Sequence, residues 1–196
     1  MAFLLRGPTV RELEARLRPL HPRLRVAVAA ACVEQVLPIF ETMKDDGGDE
    51  LREAIALAKR YADGEAVTPD EIGSALSRVH EVIPTFDEEY DPETPTRMAR
   101  SVGDAVEGVL RAADEQAGSP VDRAAKAIRD AYEAVARFVD YDDLDEADAA
   151  EEQEWQERIL RQAEAAAKPP VDVARHDPRW LVQLKDEWGW EPRPAR

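Results

Sequence analysis

Residues 24–40, LRVAVAAACVEQVLPIF, form the most apolar stretch of the chain and decide its fold. Every residue from Val26 to Val33 is apolar, and a helix that is apolar on all sides belongs in the middle of a protein. This apolar run is bounded by Arg25 and Glu34 and is shorter than the roughly 20 apolar residues of a membrane-spanning helix. It therefore predicts a buried central helix, which Pro38 either kinks or ends.

Helix-start signals flank this stretch on both sides. Thr9–Glu12 and Thr68–Glu71 have the residues of capping boxes, and Asp49 is the predicted N-cap of a helix that follows a Gly-Gly turn. Ser119-Pro120 and Asp177-Pro178 place a proline at a first helical turn. Apolar residues then recur at three- and four-residue spacing, and no run alternates with period two, so we expect helices and no sheet.

The fold class that follows is all-α. We expect one domain, residues 1–196, built as a bundle of about seven or eight helices around the buried central helix, with a polar tail after about residue 190. Gly103 and Gly108 inside one predicted helix indicate close approach of a neighbouring helix. Trp180, Trp188 and Trp190 are expected to dock the C-terminal segment onto the bundle.

Composition limits the class of protein and its compartment. The chain is 44% apolar, which argues against disorder, and 35% charged, which predicts a well-solvated surface. Its one cysteine, Cys32, cannot form an internal disulfide, as suits a reducing compartment. The short apolar run at the N-terminus is not a secretory signal. We therefore expect a cytoplasmic protein.

The net charge of -16 is unevenly distributed. Residues 1–40 hold six Arg and three Glu, so the excess of acid lies downstream of the central helix. A negative field repels nucleic acid and anionic membranes and attracts basic proteins. The charge predicts a basic protein partner and excludes nucleic acid and membrane as direct ligands.

The strongest charge feature is the acidic segment, residues 140–157, which contains ten acids and no Lys or Arg. Tyr141 and Trp155 lie among these acids, and an aromatic ringed by carboxylates is suited to capturing a cationic partner. The loop sequence FDEEYD at 86–91 repeats the pattern. The alternative is structural, since acids near a helix N-terminus are favoured by the macrodipole. The predicted partner-binding residues are Asp140, Tyr141, Asp142, Asp143, Asp145, Glu146, Asp148, Glu151, Glu152, Trp155, Phe86, Asp87, Glu88, Glu89 and Tyr90.

Signals for catalysis, cofactors and metals are weak. None of the three histidines has a glutamate three residues earlier, as a carboxylate-bridged di-iron bundle requires. Cys32 sits in the most hydrophobic segment, where a thiol is shielded from substrate. We predict no catalytic, cofactor or metal residues. The enzymatic alternative is a metal-dependent, pyrophosphatase-like helical hydrolase in which Glu151 and Glu154 hold magnesium. Calorimetry with divalent cations would distinguish such a hydrolase from a protein that only binds a partner.

Residues 29–41, AAACVEQVLPIFE, resemble the start of a bacterial all-helical family of immunity proteins encoded beside polymorphic toxins (immunity protein five and its relatives). Three later features of the sequence also resemble this family: the short helix with Glu53-Ala54, the break at Tyr141-Asp142-Asp143 and the helix with Trp155-Gln156. The resemblance implies a cytoplasmic inhibitor that binds and neutralises one cognate toxin domain, with the acidic surface covering a basic substrate cleft. A non-enzymatic scaffold or regulator remains an alternative.

Overall fold

The computed structural model describes residues 7–44, 46–83, 95–114, 118–141, 146–166 and 178–191. None of these residues is in a strand, and most lie in helices. The all-α prediction is confirmed. The described helices are α1 (Val10–Leu17), α2 (Pro22–Met43), α3 (Gly48–Asp63), α4 (Pro69–Val82), α5 (Pro95–Ala113), α6 (Pro120–Tyr141), α7 (Glu146–Ala165) and α8 (Arg179–Trp188).

Helix α2 is the centre of the bundle, as predicted. It contacts α3, α5, α6, α7 and α8. The helix continues past Pro38 to Met43, and Ile39 and Phe40 beyond the proline are fully buried. An internal proline costs about 3 kcal/mol, whereas burying each of these two side chains contributes roughly 1.5 to 3 kcal/mol. Core packing therefore offsets the local cost of the proline.

The expectation that α2 is too short to cross a membrane is wrong as a statement about length. The apolar run extends into a helix of 22 residues, which passes the length and composition test for a membrane span. Most of that window is buried inside the protein. This burial agrees with the core helix of a soluble protein, and it places the apolar residues against other helices.

The start of α3 differs from the prediction that Asp49 caps it. The N-cap is Gly47, whose φ of 86° lies in the left-handed region that favours glycine. A Cβ at this position would lie 2.6 Å from Cβ of Val82, at the end of α4. Asp49 instead lies in the first turn and pairs with Arg52 at 3.4 Å. A close approach to another helix, which sequence signals do not reveal, decides this cap.

Helices α5 and α6 pack closely, as the glycines in α5 predicted. A Cβ on Gly108 would lie 3.0 Å from Cβ of Ala127 and 3.2 Å from the carbonyl oxygen of Arg123, both in α6. A Cβ on Gly103 would lie 2.5 Å from Cγ1 of Ile83 at the end of α4. The two glycines thus let α5 approach both neighbouring helices.

Helices α7 and α8 cover α2 and α6. Trp155, Ile159 and Ala163, at four-residue spacing in α7, are all buried. In α8 the Trp180 ring is fully buried and meets the Phe138 ring edge to face at a centroid distance of 6.4 Å. On each helix the apolar residues recur every three or four positions and form one face. Burial of this face holds α7 and α8 on the bundle.

Candidate functional site

The predicted partner-binding residues fall into three groups. The first lies outside the described residues: Phe86, Asp87, Glu88, Glu89, Tyr90, Asp142, Asp143 and Asp145. The second lies in helices whose backbone, but not side chain, is described: Tyr141, Glu146 and Asp148. The third is fully described: Asp140, Glu151, Glu152 and Trp155. Only this third group can be placed, and its members do not share one surface.

Two carboxylates of the acidic segment are exposed in the described part. Asp140 lies at the end of α6, and Glu154 lies on the outer face of α7. Glu151 is partly buried, and its Oε2 accepts a hydrogen bond of 3.3 Å from the backbone N–H of Arg179 at the start of α8. A carboxylate at a helix N-terminus is stabilised by unpaired N–H groups and by the helix dipole. Glu151 thus helps to dock α8.

The C-terminal end of the acidic segment is compensated by arginines outside the segment, so its lack of Lys and Arg does not leave all ten acids unpaired. Glu157 pairs with Arg16 of α1 and, at 2.9 Å, with Arg161 of its own helix. Partial burial works to raise the pKa of Glu157, but the hydrogen bonds and charges of these two arginines outweigh it and lower the pKa. Arg16 also pairs with Glu164 at 2.7 Å. Glu157 is therefore not an uncompensated carboxylate.

Trp155 is not on the surface, and its predicted role as an exposed anchor is wrong for this conformation. Its exposed fraction is 4%. Trp155 precedes Ile159 by one helical turn, so the two side chains share the face of α7 that packs on the bundle. The periodicity that docks α7 therefore also buries the tryptophan.

Glu152 is the described site residue whose environment departs furthest from expectation. Its exposed fraction is 0%, and its Oε1 accepts a hydrogen bond of 3.2 Å from Nε2 of Gln156, one turn later. Three other buried atoms around it have no hydrogen-bond partner among the residues that the structure describes: Oε2 of Glu152, Oε1 of Gln156 and Nε1 of Trp180. We call Glu152, Gln156 and Trp180 the buried polar cluster.

Burial raises the pKa of Glu152 to about 8. The Gln156 side chain and the nearby indole N–H of Trp180 each lower this pKa, whereas the negative charge of Glu151 raises it further. A buried carboxylate without a cation is costly, so this side chain carries a proton at neutral pH.

Sequence reasoning counted Glu152 among surface acids and missed this burial. The available signal was its spacing. Residues 152, 155, 156 and 159 follow the three- and four-residue rhythm of a single helix face. Trp155 and Ile159 mark that face as the one that packs on the bundle. Glu152 and Gln156 lie on the same face, so their spacing indicated that they are buried.

Cys32 is buried, as predicted, and two histidines contact neighbouring groups. Cys32 in α2 is fully buried, and burial, with a contribution from Glu152, raises its thiol pKa well above the ordinary value. His80 contacts Glu107 of α5 at 2.9 Å, and Nδ1 of His21 accepts the backbone N–H of Arg23 at the start of α2. The described side chains contain no group of three His, Cys, Asp or Glu suited to a metal ion. His176 lies outside the described residues.

Comparisons of the chain with protein-family models, with curated proteins and with solved structures find no match. The functional argument therefore rests on the two arrangements in the same half of α7. Exposed acid lies on its outer face at Glu154, and the buried polar cluster lies on its inner face. Glu154 on the outer face is open to solvent, whereas Glu152 and Gln156 on the inner face are sealed from it.

Proposed function

We propose that this protein binds a cationic protein domain through the acidic segment and, as the resemblance to immunity proteins implies, neutralises a cognate bacterial toxin. The observation that carries the proposal is the run of ten acids without a Lys or Arg over residues 140–157, with Asp140 and Glu154 exposed. Such a surface speeds encounter with a basic partner and disfavours acidic ones.

The proposed mechanism is occlusion. Carboxylates between Asp140 and Glu154 cover the basic substrate cleft of the toxin, where they replace the interactions of an anionic substrate. With Trp155 buried, the aromatic anchor we propose is Tyr141, in the most acid-dense part of the segment. The sequence FDEEYD at 86–91 supplies a second combination of acids and aromatics for the same partner.

The structural alternative makes a different prediction for the same residues. If the exposed acids serve only the N-terminus of α7, replacing them changes the stability of the helix and leaves partner binding unaltered. If they steer a partner, replacing them slows association while the fold keeps its stability. Binding kinetics and unfolding measured on one set of variants therefore distinguish the two roles.

The test uses the purified candidate toxin domain encoded beside this chain. Association rates are measured at low and high salt for the wild type and for Asp140→Lys/Glu154→Lys. The control is Asp63→Lys/Glu81→Lys, which makes the same charge change at two exposed positions of α3 and α4. We expect salt to slow the wild type steeply, because screening shortens the reach of the field.

The acidic-segment variant should associate several-fold more slowly than the control variant and should protect the toxin's substrate less well. An association rate that is the same at low and high salt, or an equal loss in both variants, would remove the steering mechanism. Inhibition of the toxin's activity by the wild-type protein tests neutralisation separately from binding.

A further inference from the structure

The inner face of the N-terminal half of α7 suggests a conformational device that is independent of the proposed partner. We call residues 146–156 of α7 and 178–182 at the start of α8 the lid, because Glu152 and Trp180 lie over α2 on the side of Cys32. We propose that the lid is controlled by one proton, so that it is closed when Glu152 is protonated and loosens when Glu152 is ionised.

A proton on Glu152 completes the hydrogen bonding of the Glu152–Gln156 pair, whereas the indole N–H of Trp180 favours the ionised carboxylate. The Gln156 amide already donates to Oε1 of Glu152, and Oε2 of Glu152 and Oε1 of Gln156 are the atoms of this pair left without a described partner. Both are acceptors when Glu152 is ionised, so they cannot satisfy each other. A proton on Oε2 turns this oxygen into a donor, so that Glu152 and Gln156 can form a reciprocal acid–amide contact.

The described groups around Glu152 offer no cation to an ionised carboxylate. Helix α2 contributes the buried Cys32 thiol, and α7 contributes Gln156 and the charge of Glu151. Helix α8 contributes the Trp180 indole, which packs edge to face against Phe138 of α6. Among the described residues, the charge that acts on Glu152 is therefore of its own sign. Ionisation leaves a buried charge unpaired, which favours exposure to water.

Fixed points on either side define which part moves. Arg16 of α1 pairs with Glu157 and Glu164 and holds the C-terminal half of α7. Trp190, after α8, donates to Glu41 of α2 at 3.1 Å. Glu152 and Trp180 lie between these attachments. The hydrogen bond from the Arg179 N–H to Glu151 joins two parts of the lid to each other, so they move together.

The direction of the pH effect follows from the two protonation states. The closed form holds its proton up to a pH of about 8, whereas an open, solvated glutamate loses it near its ordinary value of 4.5. Between these limits each pH unit shifts the equilibrium towards the open form by up to about tenfold, and above them the effect levels off.

The experiment measures hydrogen exchange of the full-length protein from about pH 5 to 9, corrected for the intrinsic pH dependence of exchange. The proteins are the wild type, Glu152→Gln, which cannot ionise, and Glu154→Gln, a control on the exposed face two residues away. We expect protection of residues 146–156 to fall up to about tenfold per pH unit in the wild type and in Glu154→Gln, and to stay flat in Glu152→Gln. Protection of α3 and α4 should not follow this slope.

Cys32, the only cysteine in the chain, supplies a second readout. At pH 8 its reaction with a disulfide reagent should be more than tenfold faster in the wild type than in Glu152→Gln, because opening exposes the thiol. Wild-type lid protection that is flat with pH would overturn the proposal without any variant. The same slope in Glu152→Gln as in the wild type would overturn it by assigning the effect to another group.

Discussion

Trp190 donates its indole N–H to a carboxylate oxygen of Glu41, 3.1 Å away and 149 residues earlier in the chain. Glu41 is the last acid of α2, and its other oxygen pairs with Arg52 of α3 at 2.5 Å. The ammonium of Lys185 lies 5.8 Å from the centre of the Trp190 ring. The short segment after α8 is thus held by the central helix through Trp190, as the predicted docking of the C-terminal tryptophans requires. Trp188, by contrast, is 37% exposed.

Replacing Trp190 by Phe should lower the free energy of unfolding by about 1 to 3 kcal/mol, because a hydrogen bond to a buried carboxylate is lost while most of the apolar ring is kept. Chemical denaturation measures the loss. In a Glu41→Gln background the acceptor is neutral, so the same substitution should cost less, and the double-mutant cycle isolates the pair. A zero coupling energy would show that the negative charge of Glu41 adds nothing to the hydrogen bond.

Two glycine-to-alanine substitutions should have opposite effects. Gly73 lies on the exposed face of α4 with open space around it, so Gly73→Ala should raise stability by about 0.5 to 1 kcal/mol through helix propensity. Gly108→Ala pushes a methyl group against the backbone of α6 and should lower stability by about 1 to 3 kcal/mol. Thermal and chemical unfolding give both values. Equal gains for the two would mean that α5 and α6 are further apart than described.

Removing the guanidinium that joins α1 to α7 should weaken the docking of α7. Arg16→Met should cost about 1 kcal/mol at neutral pH, because Glu157 and Glu164 lose their shared partner. Arg18→Met is the matched control, since Arg18 is mostly exposed and pairs only loosely, at 3.7 Å, with Glu14.

The pH dependence of the Arg16 effect has a defined sign. Because the pKa of Glu157 is lowered in the folded state, its contribution is present above the ordinary value of 4.5 and is lost as the pH falls through the folded pKa. The stability gap between wild type and Arg16→Met should therefore shrink on acidification. A gap that persists undiminished at about pH 3 would assign the effect to packing of the arginine stem.

Asp130 of α6 should destabilise the protein at neutral and higher pH. Burial raises its pKa to about 7, with Lys126 opposing this rise and Asp104 of α5 adding to it. Its Oδ2 has no hydrogen-bond partner in the described part of the chain. A raised folded pKa means that stability falls as the pH rises from about 3.8 to about 7.

Asp130→Asn should therefore be more stable than the wild type at pH 8, and the difference should disappear towards pH 4. Chemical denaturation across this range checks the prediction. The control is Asp140→Asn, at an exposed position of the same helix. A wild type that gains stability relative to Asp130→Asn as the pH rises would mean that the carboxylate has a favourable partner.

Local signals predicted the helices well because they act between near neighbours. The Thr9 and Thr68 side chains each accept the backbone N–H three residues on, and Glu12 and Glu71 close both capping boxes. The start of α3 was mispredicted because Val82, far away in sequence, crowds the turn at Gly47. Cap chemistry is readable from a few residues, whereas a helix crossing is not.

The sequence by itself determined the all-helical class, the central place of residues 24–40, and the concentration of acid over 140–157. These properties depend on periodicity, capping and composition, which are local or additive. Only the tertiary structure decided which acids remain available to a partner. Glu154 faces solvent, Glu157 meets Arg16, and Glu152 lies beneath Trp180. The physical reason is that burial and charge pairing depend on side chains that are distant along the chain and meet only when the helices pack.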